Sequence, residues 1–502
     1  MYIGLLFWVS AALLETVLYA FGPHVLRNAA RFRLFCAVCL GCAILAAEGI
    51  MVQHYGYVWL FSPLFAIYRL INVGRFARFR MQSLHLRNVS LRAHLWLISA
   101  ECVMAALMVF ADVPVVTLLG TLAGVQLFVL LVLLRASTHT WEYAKPTAIK
   151  QHLTDRELPT VSVLIPARDE SDALQRCLDS LIRNDYPKLE IIVLDDCSID
   201  KRTPEIIRGF AHDGVRFVKG AVPPEDWIAK NYGYEQLRHE ASGDVLLFCG
   251  ADTTFGERTI RGLVETMLDR KKEMLSILPN RPEGNPGWSL LQSMRYYWEL
   301  CLPRRLFKRP PVLSTCWVIR RSLLESFGGF GSVAQSVSPE AHFARRAVAA
   351  DVYTFLRSHE AIQVHTLKTV SEQFDTTIRL RYPQLHRRLE LVAAATAFEF
   401  VFFVLPFVLL PASLFLPHSG AFLAVWAGCI AIIELLYFFV AVQTKLHRPG
   451  LAFLVAPLAF TADIFMLHLS MARYEFGEVN WKGRNVCVPV MRVEPHLPPL
   501  PK

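Results

Sequence analysis

The chain has 502 residues, of which 54% are hydrophobic and 19% charged, with a mean hydropathy of +0.35. So few charges exclude a disordered chain and an ordinary soluble protein throughout. The formal net charge of +9 does not argue for a nucleic-acid partner. Much of the arginine lies in short loops between apolar segments, where it sets orientation and meets anionic headgroups. The eleven cysteines form no regular framework, which excludes a secreted disulfide scaffold.

In chain order, apolar segments able to cross a bilayer run over Ile3–Phe21, Leu34–Val52, Tyr57–Val73, Leu95–Val113 and Val115–Leu134. The first opens without a basic region and is followed by further spans, so it does not read as a cleaved signal. Cys36, Cys39 and Cys42 fall inside the second, with no histidine nearby, and read as small hydrophobes. Arg27, Arg31 and Arg33 follow the first segment. Arg75, Arg78, Arg80, Arg87 and Arg92 follow the third. The positive-inside tendency puts both loops in the cytoplasm. Five spans then deliver the chain to the cytoplasm near Arg135.

From Leu158 to Arg388 strands alternate with helices. Strands are expected at Val161–Pro166, Glu190–Leu194, Val215–Val218 and Asp244–Cys249. Helices are expected after Ser171 as N-cap, and over Thr203–Phe210, Trp227–Ala241 and about Arg258–Leu268. The pattern is an α/β domain with a mostly parallel sheet, in which ligands bind at the carboxyl ends of the strands. The first strand ends in Pro166-Ala167-Arg168-Asp169-Glu170 and the second in Asp195-Asp196-Cys197-Ser198-Ile199-Asp200. Paired acids there require donors or a cation, which a nucleoside offers; the alternative is an Asx-rich turn.

These two motifs resemble the opening of family 2 glycosyltransferases. The resemblance covers Val161 to Gly329 and implies a GT-A nucleotide-diphospho-sugar transferase domain inserted between two sets of transmembrane helices. It implies contacts to a nucleoside-diphosphate sugar, expected to be a UDP-sugar, from Ala167, Asp169 or Glu170, Asp195 and especially Asp196. Asp226-Trp227-Ile228-Ala229-Lys230-Asn231 resembles the Trp-x-Gly-Lys-Asn motif of a subgroup that glycosylates lipids such as hopanoids, carotenoids and ceramides. Ala229 stands where that subgroup often has glycine. Lys230, at a helix start, suits a diphosphate.

Gly250-Ala251-Asp252 matches the family's Asp-x-Asp in its last position only, which implies a divalent cation (Mg2+ or Mn2+) on Asp252 with one carboxylate missing. Arg320-Arg321 and Phe327-Gly328-Gly329-Phe330 resemble the acceptor-side strand, helix and turn. Ser338-Pro339-Glu340 stands where the family carries Glu-Asp, so Glu340 falls on the catalytic base, with His342 in reserve. Ile378-Arg379-Leu380-Arg381-Tyr382 lacks the Gln and Trp of the processive Gln-x-x-Arg-Trp motif.

Apolar segments resume at Leu391–Leu416, Ala421–Val442 and Leu451–Leu469. The last holds Pro457, Asp463 and His468, and reads as re-entrant or interfacial, because a third full crossing would place the basic tail outside. In that tail Trp481-Lys482-Gly483-Arg484 resembles the subgroup's Trp-x-Gly-Arg. It either folds back over the diphosphate, with Trp481 and Arg484 binding the donor, or anchors the chain beside the membrane. Glu15, Glu48, Glu101, Glu399 and Glu434 lie in apolar segments and either line a groove or pair with neighbouring helices.

The expected organisation is transmembrane helices in 1–135, a cytoplasmic catalytic domain in 155–388, transmembrane or re-entrant helices in 391–470 and a basic tail in 471–502. The expected function is inverting transfer of a sugar to a membrane-associated lipid or glycan acceptor. The alternatives are a processive polysaccharide synthase and an inactive membrane scaffold or sugar-nucleotide sensor.

Overall fold

A computed structural model describes residues 67–69, 71, 96, 115–146, 153–281, 294–303, 310–444 and 449–487. Apart from 67–69, 71 and 96, the first four expected spans lie outside these residues, as do the Cys36, Cys39, Cys42 run and Glu15, Glu48 and Glu101.

The fifth expected span is one helix, α1 (Val115–Tyr143), whose carboxyl end is fastened to the domain beyond it. The Tyr143 hydroxyl donates to the Tyr353 carbonyl at 3.0 Å, and Arg357 lies over the Trp141 ring at 3.4 Å.

The alternation of short apolar runs with amphipathic stretches produces β1 (Val161–Ala167), α2 (Asp172–Ile182), β2 (Leu189–Asp195), α3 (Arg202–Gly209), β3 (Val215–Lys219), α4 (Ala229–Glu240) and β4 (Val245–Cys249). Then come β5 (Thr253–Phe255), α5 (Thr259–Asp269), β6 (Met274–Leu278), α6 (Met294–Cys301), β7 (Cys316–Arg320), α7 (Arg321–Ser326), α8 (Pro339–Ala349), β8 (Tyr353–Arg357), β9 (Val364–Thr366) and α9 (Val370–Gln384). Ser171 stands at the start of α2, but its side chain makes no capping hydrogen bond; Asp172 in the first turn meets the helix dipole instead.

Seven strands form one sheet in the order β3-β2-β1-β4-β7-β6-β8. All neighbouring pairs are parallel except those made by β7, which runs antiparallel to β4 and β6. The central strands bury both faces, as a sheet covered by helices on each side must. On one face Val163, Ile165, Val193, Leu247 and Ile277 pack with Leu174, Leu178, Leu263 and Met267. On the other, Leu164, Leu194, Phe248 and Trp317 meet Tyr234 and Leu237 of α4 and Phe343, Ala344 and Ala347 of α8. Trp317 stacks on Phe248 with ring centroids 4.3 Å apart.

That second cluster does not end at the domain. It continues through Tyr296 and Tyr297 of α6 to Leu130 and Leu133 of α1, and into the helices that follow. These are α10 (Leu389–Glu399), α11 (Leu405–Ala412), α12 (Ser419–Gln443) and α13 (Ala452–Phe476). A π-helical turn, Phe400–Val404, joins α10 to α11. It falls where Pro406 cannot donate to the carbonyl four residues back, so the regular ladder is interrupted there. Four helical stretches are long and apolar enough to cross a membrane: Val116–Tyr143, Leu389–Phe415, Ser419–Gln443 and Pro449–Phe476. The segment expected to be re-entrant or interfacial is thus an unbroken helix with Pro457 inside it.

Buried polar groups tie the apolar helices together. Gln126 donates to the Val401 carbonyl at 2.6 Å and accepts from the Trp426 indole at 3.0 Å. Arg381 binds Glu399 at 2.7 Å and also Asp463, which accepts from the Trp298 indole at 3.0 Å. Of the two expectations for the intramembrane acids, Glu399 follows the pairing one. This pairing also occupies Arg381, the arginine that lies where the processive motif has its own.

Candidate functional site

The carboxyl end of the sheet gathers most of the residues singled out in the sequence, but in unequal roles. Asp169 has φ 46, which turns the chain sharply after β1. Its carboxylate accepts from the backbone N–H groups of Ile199 at 2.7 Å and Asp200 at 3.0 Å, and its own N–H donates to the Ser198 hydroxyl at 3.0 Å. Asp195 accepts from the Ser198 N–H at 3.1 Å. These two acids hold the loop after β2 in shape, so the Asx-turn alternative applies to them. The Ala167 carbonyl accepts from the Asp196 N–H at 2.8 Å, which sets the ends of β1 and β2 side by side.

Asp196 and Glu170 are bound differently. The tail after α13 forms a hairpin, β10 (Asn480–Trp481) with β11 (Arg484–Asn485), that lies against the strand ends. Arg484 donates to the Asp196 carboxylate at 2.6 Å. Lys482 pairs with Glu170, and its carbonyl accepts from Arg168 at 2.9 Å. Trp481 sits under Arg379 of α9 at 5.0 Å. The tail thus lies against the strand ends beside Asp196 and Glu170.

Burial raises the pKa of Asp196 above its ordinary 3.8, outweighing the lowering by Arg484 and Arg168. Burial also raises Glu170, with Lys482 acting against it and Asp252 and Glu372 adding to it. Glu170 and Asp252 therefore feel each other's charge.

Lys230 occupies the first turn of α4, with its ammonium 5.2 Å from the Tyr234 ring. The next residue, Asn231, is buried and its amide nitrogen reaches the carbonyls of Val333 at 2.9 Å, Ala334 at 3.1 Å and Ser336 at 2.7 Å. Asn231 thus ties the helix start carrying Lys230 to the segment that leads into α8. Glu340 is the second residue of α8, behind Pro339, and only 5% exposed. Burial raises the Tyr234 phenol well above its ordinary pKa, and Glu340 and Asp252 both add to the effect. His342 lies two residues beyond Glu340, where a helix turns it to another side. Burial lowers its pKa, with Arg346 and Arg345 contributing.

Asp252 follows β4, and its backbone carbonyl accepts from Leu367 at 2.8 Å. Its carboxylate lies 3.5 Å from the ammonium of Lys368. A Cβ added at Gly250 would stand 2.4 Å from Asp252 Oδ1, so a side chain there would require the Asp252 carboxylate to turn. Among the described residues no group of three or more His, Cys, Asp or Glu forms a metal cluster. Lys368, Lys482 and Asn231 are the residues that sequence reasoning assigned no role of their own; only the local motif drew attention to Asn231. A separate open groove of about 1040 Å3, lined by Arg176, Arg183, Phe255, Arg258 and Glu360 among others, contains none of the strand-end acids.

This mostly parallel sheet is the GT-A-like α/β fold expected from the sequence. Residues 162–328 match the family described as Glycosyl transferase family 2, so the chain carries a family 2 glycosyltransferase domain. It is 31% identical over 196 residues to the probable glycosyltransferase YdaM of Bacillus subtilis, covering 37% of this chain and 46% of the relative; the chain thus spans less than half the length of that relative. It is 25% identical over 234 residues to the glycosyltransferase AglE of Haloferax volcanii, covering 45% of this chain and 74% of the relative. Among solved structures, the mannosyltransferase PcManGT of Pyrobaculum calidifontis, in complex with GDP-Man and Mn2+, is similar at 16% identity and a TM-score of 0.43, covering 71% of this chain and 98% of that one.

Proposed function

We propose that this protein is an inverting glycosyltransferase that moves a sugar from a nucleoside-diphosphate donor to a hydroxyl of a membrane-associated, lipid acceptor. The observation that carries the reading is a family 2 domain that is packed directly on apolar helices, with its strand-end acids Asp196 and Glu170 held by Arg484 and Lys482 of the tail and Asp252 by Lys368.

Asp196 takes the nucleoside, and Lys230 at the start of α4 faces the diphosphate. Glu340 accepts the proton from the acceptor hydroxyl as its oxygen forms the new bond to the anomeric carbon. The bond from that carbon to the diphosphate oxygen breaks, the nucleoside diphosphate leaves, and one displacement inverts the configuration. Asp252 would hold a divalent cation, Mg2+ or Mn2+, through its one carboxylate. When bound, such an ion stabilises charge on the departing diphosphate.

The hairpin Asn480–Asn485 touches the strand ends, so domain and tail share one side of the membrane. An even number of crossings must therefore separate them, although three apolar helices intervene. The interfacial assignment of Pro449–Phe476 satisfies this count and is supported by the helix's bonds to α9, in which the Tyr382 N–H donates to the Ser470 hydroxyl at 3.1 Å and the Tyr382 hydroxyl donates to the Glu475 carboxylate at 2.7 Å. The basic loops of the sequence put that side in the cytoplasm.

The test is a donor screen with membrane-reconstituted protein, scoring nucleotide release with and without extracted lipids. Release that depends on lipid, with a single sugar added, supports the proposal. Extended glycan would identify a processive synthase, and donor binding without any turnover a sensor or scaffold.

The raised pKa of Asp196 gives a pH prediction. An acceptor carboxylate is lost as pH falls through its pKa, so a raised pKa moves that loss to higher pH. Nucleotide affinity, measured by calorimetry from about pH 7 down to about pH 4, should begin to fall above the ordinary aspartate value. Asp196→Asn should bind weakly and without that dependence. Affinity that stays flat through this range would show that Arg484 keeps Asp196 ionised.

A further inference from the structure

We propose that Lys368 is a ligand of the donor diphosphate, providing from the chain itself part of the positive charge that an Asp-x-Asp pair would recruit as a metal ion. The inference rests on the donor site described above and deepens it.

Three observations point to this lysine. First, its place is fixed by the backbone. Thr253 pairs with Thr366 in the β5–β9 ladder, and the Leu367 N–H donates to the Asp252 carbonyl at 2.8 Å, so the residue after Leu367 is delivered to the Asp252 side chain. Second, the ammonium stands 3.5 Å from the Asp252 carboxylate, with both side chains only about one-fifth exposed (23% and 20%). A pair this sheltered is screened less than one in open water. Third, position 250 is glycine, so Asp252 is the one carboxylate of the Gly250-Ala251-Asp252 run that follows β4.

The charge arithmetic follows. Two carboxylates with a divalent cation sum to zero, and one carboxylate with one lysine also sums to zero. The site therefore presents an incoming diphosphate with a neutral pair whose cation is an N–H donor. An ammonium on a flexible stem can leave Asp252 for phosphate oxygens, where its hydrogen bonds are charge-assisted. Lys230 approaches from α4, so the diphosphate would lie between two lysines.

This arrangement makes donor binding less dependent on a divalent ion. The test is calorimetric binding of UDP, GDP and the corresponding monophosphates to the full chain in detergent or nanodiscs, with Mg2+ and with EDTA. The wild type should retain a preference for diphosphate over monophosphate in EDTA. Lys368→Met should lose that preference by roughly tenfold or more in EDTA, recover part of it with Mg2+, and leave monophosphate affinity unchanged. Lys368→Arg should keep it. A lysine that merely neutralises Asp252 would not move the ratio of the two nucleotides. The inference is overturned if Lys368→Met keeps the wild-type preference in EDTA, or if the wild type shows no preference without a divalent ion. If the wild type binds neither diphosphate under either condition, the donor-site reading fails as well.

Discussion

Asp252→Ala should abolish measurable nucleotide release from a donor sugar, a loss of roughly 10²–10³-fold or more, by analogy with removal of one group that stabilises developing charge. The size of the effect follows from how little redundancy surrounds this side chain. Gly250 offers no second carboxylate, and among the described residues no metal cluster forms. Alanine would remove the one carboxylate available to a cation and leave the Lys368 ammonium without its partner at 3.5 Å. The fold should survive, because the backbone bond between Leu367 and Asp252 does not involve the side chain. Circular dichroism and thermal unfolding would confirm that, and turnover equal to wild type would remove Asp252 from the site.

Glu340→Gln should leave donor binding unchanged while transfer falls by roughly 10²–10⁴-fold, the range typical of a lost general base. Glutamine preserves size and hydrogen-bonding capacity at a position that is 5% exposed, so the packing of α8 against Trp317 and Phe330 is undisturbed. It cannot take a proton from the acceptor hydroxyl. The expected signature is a reduced kcat with unaltered nucleotide affinity. Normal transfer would move the base elsewhere. His342 is a poor substitute, because α8 turns it away from Glu340 and burial together with Arg346 and Arg345 depresses its pKa.

The alternation of strands and helices was legible because it is local. Apolar runs bounded by turn residues place β1 to β4 within a residue or two of where they stand, and the strand-end acids follow from them. The resemblance favours Asp196 among the strand-end acids, but the sequence does not show that Asp169 and Asp195 are committed to backbone N–H groups of the loop 198–200. Only a three-dimensional turn decides that. Arg484 reaching Asp196, Lys368 reaching Asp252, and Arg381 joining Glu399 to Asp463 are all partnerships between distant segments. No periodicity announces them, although each satisfies the same requirement that a buried charge find a partner. Ser171 shows the opposite error, since a favourable N-cap residue in sequence makes no capping bond when Asp172 already meets the helix end.

The most direct measurement of the central claim is a cryo-EM map of the full chain in nanodiscs with UDP or GDP and Mg2+. Density for the nucleoside against Asp196, with its diphosphate running toward Lys230 and Asp252 beside the bilayer, is the predicted result. Nucleotide bound anywhere else on the molecule, or a map in which those three side chains share no cleft, would contradict it.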